Sequence, residues 1–130
     1  MINLTPLEEA AWVYEHQVNY TRQQRYDAVA SLWGWGIFSA MHVGAIVGIS
    51  HTTVYKLTAP RETRMRGKFD PACLAGLLKL RNAHARGERV SAEDVTAMLD
   101  AGQGTSVMFA ARLSGIPDWW LRRRYRKEEK

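Results

Sequence analysis

The chain has 130 residues, of which 46% are hydrophobic and 24% are charged, and its formal net charge at pH 7 is +5. This globular composition argues against wholesale disorder, and no apolar run approaches the roughly 20 residues that cross a bilayer. The first residues lack the basic start and apolar core of a signal peptide, and the single Cys73 excludes an internal disulfide. We therefore expect a cytoplasmic protein without a membrane partner.

The charge is distributed unevenly along the chain. Residues 1–55 carry two basic and four acidic side chains, a net charge of −2, whereas residues 56–130 carry 16 basic and nine acidic side chains, a net charge of +7. A one-sided basic distribution is typical of nucleic-acid-binding proteins. A solvated charged surface with a basic tail explains the same distribution, so charge alone leaves the partner open.

The residues before Ser39 predict two helices. Thr5 and Glu8 form the pattern of a capping box, and Thr21 and Gln24 repeat it. Apolar residues at helical spacing predict the buried faces, which are Leu7, Ala11, Tyr14 and Val18 on the first helix and Tyr26, Val29, Ala30 and Trp33 on the second.

The segment 40–57 predicts a helix-turn-helix. Gly44 provides the small contact where two steeply crossing helices meet, and Gly48 provides the turn, because a left-handed backbone is favourable only for glycine. The expected inward residues are Val43, Val47, Ile49, Val54 and Leu57. Ser50 is expected to cap the second helix. The expected exposed set suits base-edge readout flanked by phosphate contacts, and it comprises His51, Thr52, Thr53, Tyr55 and Lys56, with Ser50 counted among the expected DNA-binding residues. An ordinary helical hairpin with a glycine turn is the alternative.

Residues 59–70 form the predicted linker between an N-terminal domain at 1–58 and a C-terminal domain at 71–130. This segment contains proline, glycine and many basic residues, and it has few apolar ones. Its basic residues have the spacing of a segment that follows a phosphate backbone or enters a minor groove, and they are Arg61, Arg64, Arg66 and Lys68. A soluble spacer is the alternative, and the two roles are compatible.

The segment 110–127 predicts a second helix-turn-helix. Ala110 and Ala111 provide the small contact, Gly115 provides the turn, and the expected inward residues are Ile116, Leu121 and Tyr125. The expected DNA contacts are Trp119, Arg122, Arg123 and Arg126. The alternative is a C-terminal helix with a tryptophan pair in the core and a solvated arginine cluster.

Three features distinguish this second motif from the usual pattern. Ser114 stands where a large apolar residue is usual, and Asp118 would repel phosphate if it faced DNA. Trp119 and Trp120 replace the small polar residues expected at the front of a recognition helix. One of the two packs on the core, whereas the other touches thymine methyl groups, wedges against the DNA or forms a protein contact.

The sequence contains no pattern typical of an enzyme. The four histidines are scattered and do not share metal-ligand spacing with Cys73. There is no phosphate-binding glycine loop and no carboxylate pair with a neighbouring base. Helix caps and helical spacing recur along the chain without a convincing strand pattern. We therefore expect an all-α protein, a small helical bundle with two helix-turn-helix motifs, without catalytic residues, metal, cofactor or small-molecule ligand.

The first motif resembles the helix-turn-helix of phage repressors and resolvase-like regulators, with Gly44 in place of the usual alanine. The second resembles the Fis-type motif. Two such motifs in a small chain with 13 arginines and five lysines resemble the small actinobacteriophage immunity repressors, and the resemblance covers the two motifs alone. It implies a sequence-specific transcriptional regulator of double-stranded DNA that represses by occluding promoter DNA in a bacterial or phage-infected cell.

Because the two motifs differ, a single chain is expected to bind an asymmetric site as a monomer, and a homodimer stays open. An excisionase-like or architectural DNA-binding factor is one alternative function. A helical protein–protein adaptor is the other.

Overall fold

The computed structural model describes residues 5–58, 69–102 and 104–125. Within these ranges the protein forms eight α-helices and two short 3-10 helices, which confirms the all-α class. None of the described helices combines the length and apolarity that a membrane span requires. The predicted DNA contacts Arg61, Arg64, Arg66, Lys68 and Arg126 lie outside the described residues.

The chain divides into two compact units, Met1–Arg66 and Gly67–Lys130, and each is described by itself. The first unit contains four α-helices: α1 (Pro6–His16), α2 (Arg22–Gly34), α3 (Ala40–Val47) and α4 (His51–Leu57). A 3-10 helix, Gln17–Asn19, follows α1.

Side-chain caps begin the first three helices. The capping boxes predicted at Thr5 and Thr21 are confirmed. Each threonine hydroxyl accepts the backbone N–H three residues later, and the side chain of Glu8 or Gln24 accepts the backbone N–H of the capping threonine. Ser39 caps α3 in the same way, and Nδ1 of His42 accepts the Ser39 N–H at 3.2 Å. These local bonds fix where each helix starts.

Helix α3 is the centre of the first unit, since it contacts α1, α2 and α4. The buried residues of α1 are Leu7, Ala10 and Val13, so Leu7 is buried as predicted, whereas Tyr14 and Val18 of the predicted face are exposed. Val18 is 70% exposed because α1 has ended and the chain has entered the 3-10 helix, in which helical spacing of 3.6 residues no longer applies. On α2, Val29 and Trp33 are buried as predicted, but Ala28 and Leu32 accompany them, whereas Ala30 is exposed.

The second unit contains a 3-10 helix, Pro71–Cys73, and four α-helices: α5 (Leu74–Ala85), α6 (Ala92–Leu99), α7 (Val107–Ser114) and α8 (Asp118–Arg124). Its core draws on all four helices, with Leu77, Val95, Phe109 and Leu121 completely buried.

Two residues that the sequence placed in the linker contact this second unit. Phe69 forms an antiparallel bridge with Thr105, and its ring lies 4.8 Å from that of Phe109. The Asp70 N–H donates to the Gly104 carbonyl at 3.0 Å. Cys73 is fully buried beside them, and burial, followed by the nearby Asp70 charge, raises its pKa to about 12. The thiol is therefore protonated at neutral pH.

The two units share part of one pattern of helix contacts, although α2 packs on α3 and the equivalent helices α6 and α7 do not pack on each other to a similar extent. In both, the first helix contacts the second and third, and the fourth contacts the second and third. The last two helices, α3–α4 (the N-terminal pair) and α7–α8 (the C-terminal pair), also match residue for residue. Both pairs contain the same elements in the same order. These are a serine cap (Ser39 or Ser106), an eight-residue helix, a left-handed glycine (Gly48 or Gly115) and a seven-residue helix.

The end of α8 is attached to α6 through a side-chain bond. The Tyr125 hydroxyl donates to Asp100 Oδ1 at 2.6 Å, and this bond raises the pKa of Tyr125 to about 12. The residue is half-buried rather than part of the apolar core that the sequence predicted. Its role is to hold the helix end in place by a polar contact.

We expect Gly44→Ala to lower the free energy of unfolding by about 1–2 kcal/mol, although alanine favours helix formation by about 1 kcal/mol. A Cβ at this buried position would stand 2.7 Å from the Ile49 carbonyl oxygen, which is backbone and must shift. Gly34→Ala is the matched control, since nothing lies within 4 Å of its Cβ. Urea unfolding measures both variants, and equal stability of the two would contradict the close approach.

We expect Tyr125 to ionise at about pH 12, above its ordinary pKa of 10.0. The neutral phenol donates the bond, so its contribution to stability is complete below the ordinary pKa of 10.0 and disappears as the pH rises towards 12. Asp100→Ala should return the pKa of Tyr125 towards 10.0. Ultraviolet titration of tyrosinate in both proteins tests this, and a titration unchanged by the substitution would show that the bond is absent.

Candidate nucleic-acid interface

The turn of the N-terminal pair is held from two sides. The Gly44 carbonyl accepts the N–H groups of Gly48 and Ile49, at 2.8 and 3.0 Å. From α2, Nη1 of Arg25 donates to the Val47 carbonyl at 3.3 Å and to the Gly48 carbonyl at 3.1 Å. Gly48 has φ +84°, which confirms the predicted left-handed turn. The direction of α4 is thus fixed by backbone bonds and by one guanidinium group.

Helix α4 is anchored by Val54, which is completely buried, as are Val43 and Val47 of α3. Ile49 is half-buried. Leu57, predicted to face inward, is 39% exposed, because it is the last residue of α4. Burial on one side leaves the opposite side of this short helix to solvent.

Four of the six residues predicted to face DNA in the first motif present exposed side chains from α4, namely His51, Thr52, Tyr55 and Lys56. The rings of His51 and Tyr55 meet edge to face, 6.2 Å apart between centroids. Imidazole, hydroxyl and phenol groups donate and accept hydrogen bonds, so this surface matches the chemistry of base edges.

Ser50 and Thr53 have a different role from the other four. The Ser50 hydroxyl caps α4 by accepting the Thr53 N–H at 3.3 Å, and its oxygen lies 2.9 Å from Thr53 Oγ1. Thr53 is half-buried. The structure thus places these two predicted contacts in the cap that positions the helix.

The C-terminal pair reaches the same geometry with a different set of bonds. The Ala111 carbonyl, in the place of Gly44, accepts the Gly115 N–H at 2.9 Å. The Ile116 N–H donates instead to the Ser114 hydroxyl at 3.2 Å, and that hydroxyl donates to the Ala110 carbonyl at 2.7 Å. These bonds explain why a buried serine replaces the large apolar residue that is usual there.

The exposed side of α8 is basic. Asp118, which would repel phosphate by itself, forms an ion pair with Arg122 at 2.6 Å, and both side chains are about half exposed. Arg123 is exposed. The guanidinium of Arg124 lies over the Trp120 ring, 3.8 Å from its centroid, and its Nη1 donates to the Trp120 carbonyl. One cation of this helix is thus paired, one is stacked and one faces solvent.

The two adjacent tryptophans have different surroundings. The Trp120 ring meets the His84 ring of α5 edge to face, 4.9 Å apart, and Arg124 covers it from its own helix. Trp119 is 61% exposed. Trp120 is therefore the tryptophan that packs on the unit, and Trp119 is the one presented to solvent.

Sequence reasoning missed three residues near these surfaces. Arg25 holds the first turn from another helix, which no local pattern shows. Met41 and Met108 stand at equivalent positions of α3 and α7, and both are exposed. The 67-residue offset between Gly48 and Gly115, applied to the rest of the sequence, would have revealed this pair of methionines.

At most positions α8 carries larger side chains than α4, and it carries three arginines where α4 carries one lysine. Trp119 occupies the position of Thr52, and Arg123 occupies that of Lys56.

Among the described residues, no group of three or more His, Cys, Asp or Glu side chains is placed to hold a metal ion. Comparison with models of known protein families, with curated proteins and with solved structures found no match to this chain.

Proposed function

We propose that this protein is a sequence-specific transcriptional regulator that binds double-stranded DNA and represses by occluding its operator. The observation that carries the proposal is the repeated helical pair, in which a short second helix is anchored by one fully buried residue, Val54 or Leu121, and leaves polar or basic side chains exposed. Each pair is then a helix-turn-helix, with α4 and α8 as the helices that enter the major groove.

The two helical pairs contribute differently to DNA binding. The exposed groups of α4 include one full charge, that of Lys56, and otherwise hydrogen-bonding groups that suit base readout. The basic residues of 56–130 supply the attraction to phosphates, which is sequence-independent and depends on salt. Discrimination therefore comes mainly from α4, and affinity comes mainly from the basic residues of 56–130.

The differing faces of α4 and α8 support binding to an asymmetric site by a single chain. Two identical reading helices require a site with two-fold or direct-repeat symmetry, whereas two different helices require two different half-sites. Bound in this way, one protein covers promoter DNA without a partner subunit, and this mode of repression agrees with the resemblance to phage immunity repressors.

One observation favours the protein–protein adaptor as a second candidate. A groove of about 470 Å³ in the first unit is lined by Trp12, Val13, Tyr20, Gln24, Asp27 and Ala28. Trp12 is 56% exposed and stacks on His16 at 3.9 Å between ring centroids. Exposed aromatic side chains around a groove are typical of surfaces that bind other proteins.

Selection of binding sites from random duplex DNA is expected to enrich one asymmetric sequence. Affinity for that sequence should exceed affinity for random DNA by at least about a thousandfold, and both should fall steeply between 50 and 200 mM salt. Equal affinity for all sequences would contradict a sequence-specific regulator and favour an architectural DNA-binding factor. If the protein does not bind DNA at low salt, the protein–protein adaptor is the remaining candidate function.

Substitutions on the two helices should have separable effects. His51→Ala with Thr52→Ala should reduce discrimination between the selected and random duplexes by about tenfold or more, because base contacts are lost. Arg123→Ala should weaken binding to both duplexes alike and reduce the slope of log affinity against log salt by about 1. Fluorescence anisotropy titrations at several salt concentrations measure both effects.

Arg86→Ala is the matched control for the charge, since Arg86 is an exposed arginine of the same unit, paired with Glu88 at the end of α5. It removes one positive charge at the end of α5 and leaves every residue of α8 unchanged. If it weakens binding as much as Arg123→Ala does, then net charge rather than the α8 surface governs affinity.

A further inference from the structure

We propose that Trp119 reads thymine in the DNA site by contact with the C5-methyl group. The proposal rests on the proposed function, because it assigns a base preference to α8 within the same DNA-binding surface. It selects one of the three roles that the sequence left open for the exposed tryptophan.

The first step is the difference between the two tryptophans. Trp120 contacts His84 and Arg124, so its indole contributes to the packing of the second unit. Trp119 is 61% exposed although its indole is a large apolar group whose burial would be favourable. An exposed indole on a helix that is otherwise basic fits a surface that becomes buried when the partner binds.

The second step is the charge around this indole. Arg122 and Arg123 follow on the same helix, and Arg112 of α7 is also exposed. The charges of Asp118 and Arg122 offset each other in their ion pair, so the net positive charge of α8 comes from Arg123 and Arg124. This charge pattern is complementary to a polyanion, and under the proposed function DNA is the polyanion that we infer as the occupant.

The third step is the position of Trp119 in the repeated helical pair. It occupies the place of Thr52, which is exposed on α4 where we propose that bases are read. In the major groove, the methyl group of thymine is the apolar feature of the base edges. An indole at a base-reading position therefore selects thymine by apolar contact, whereas a threonine also forms hydrogen bonds.

The test compares the selected duplex with the same duplex synthesised with deoxyuridine in place of every thymidine, which removes only the methyl groups. The native protein should bind the deoxyuridine duplex about threefold to fivefold more weakly for each methyl group that Trp119 contacts. Trp119→Ala and Trp119→Gln should bind the thymidine duplex more weakly and lose this part of the difference. Trp12→Ala removes an equally exposed tryptophan of the other unit and should retain the full difference.

The outcomes separate this inference from the proposed function. If the native protein selects no DNA sequence, the proposed function fails before Trp119 is tested. If the native protein selects a site and both Trp119 variants retain the full thymidine preference, the methyl contact is wrong. An equal loss of affinity on both duplexes would assign Trp119 to a wedge between bases and would also overturn the proposal. Thermal unfolding of each variant verifies that the second unit is folded.

Discussion

The close approach of two helices at a three-residue turn is the constraint on which both helical pairs depend. In the N-terminal pair it falls on Gly44, where a Cβ would meet the Ile49 carbonyl at 2.7 Å. The Gly44 carbonyl accepts two backbone N–H groups from the turn, and Arg25 bonds the carbonyls of Val47 and Gly48. Because these bonds leave α4 little freedom, the side chains on its exposed face keep a fixed direction, which is what recognition of base edges requires.

The C-terminal pair satisfies the same constraint with other atoms. Ala111 already carries a Cβ, and its carbonyl accepts only one of the two N–H groups that the equivalent Gly44 carbonyl binds. Ser114 accepts the other N–H and donates to the Ala110 carbonyl, so that a buried hydroxyl replaces a backbone acceptor. The equivalent residue in the first unit is Val47, an apolar residue. A serine that interrupts the apolar pattern is therefore part of how this turn is formed.

Local chemistry made part of this fold predictable from the sequence. The capping boxes at Thr5 and Thr21 and the left-handed turn at Gly48 depend on neighbouring residues, and all three are confirmed. On α1, Leu7 is buried as predicted, but Val18 is exposed because helical spacing was continued into the 3-10 helix. Tyr14 is exposed because the buried face of α1 continues through Ala10 and Val13 instead. The cap at Ser50 was also expected from the sequence, whereas the contact of the Thr53 hydroxyl with that cap and the choice between Trp119 and Trp120 depend on side-chain contacts in three dimensions. His84, which packs against Trp120, lies on another helix, and no sequence period links the two.

The distribution of charge explains why the two units belong in one chain under the proposed function. In the first unit, Arg25 is engaged with the carbonyls of the turn, and Arg22 donates to the Tyr26 hydroxyl. Lys56 is then the main cation that α4 offers to phosphates, so the four helices of this unit have little electrostatic affinity for DNA by themselves. Once the basic second unit is bound, the covalent connection makes binding of the first unit intramolecular, at a high effective concentration. A weakly charged reading helix can then discriminate between sequences without supplying the affinity itself.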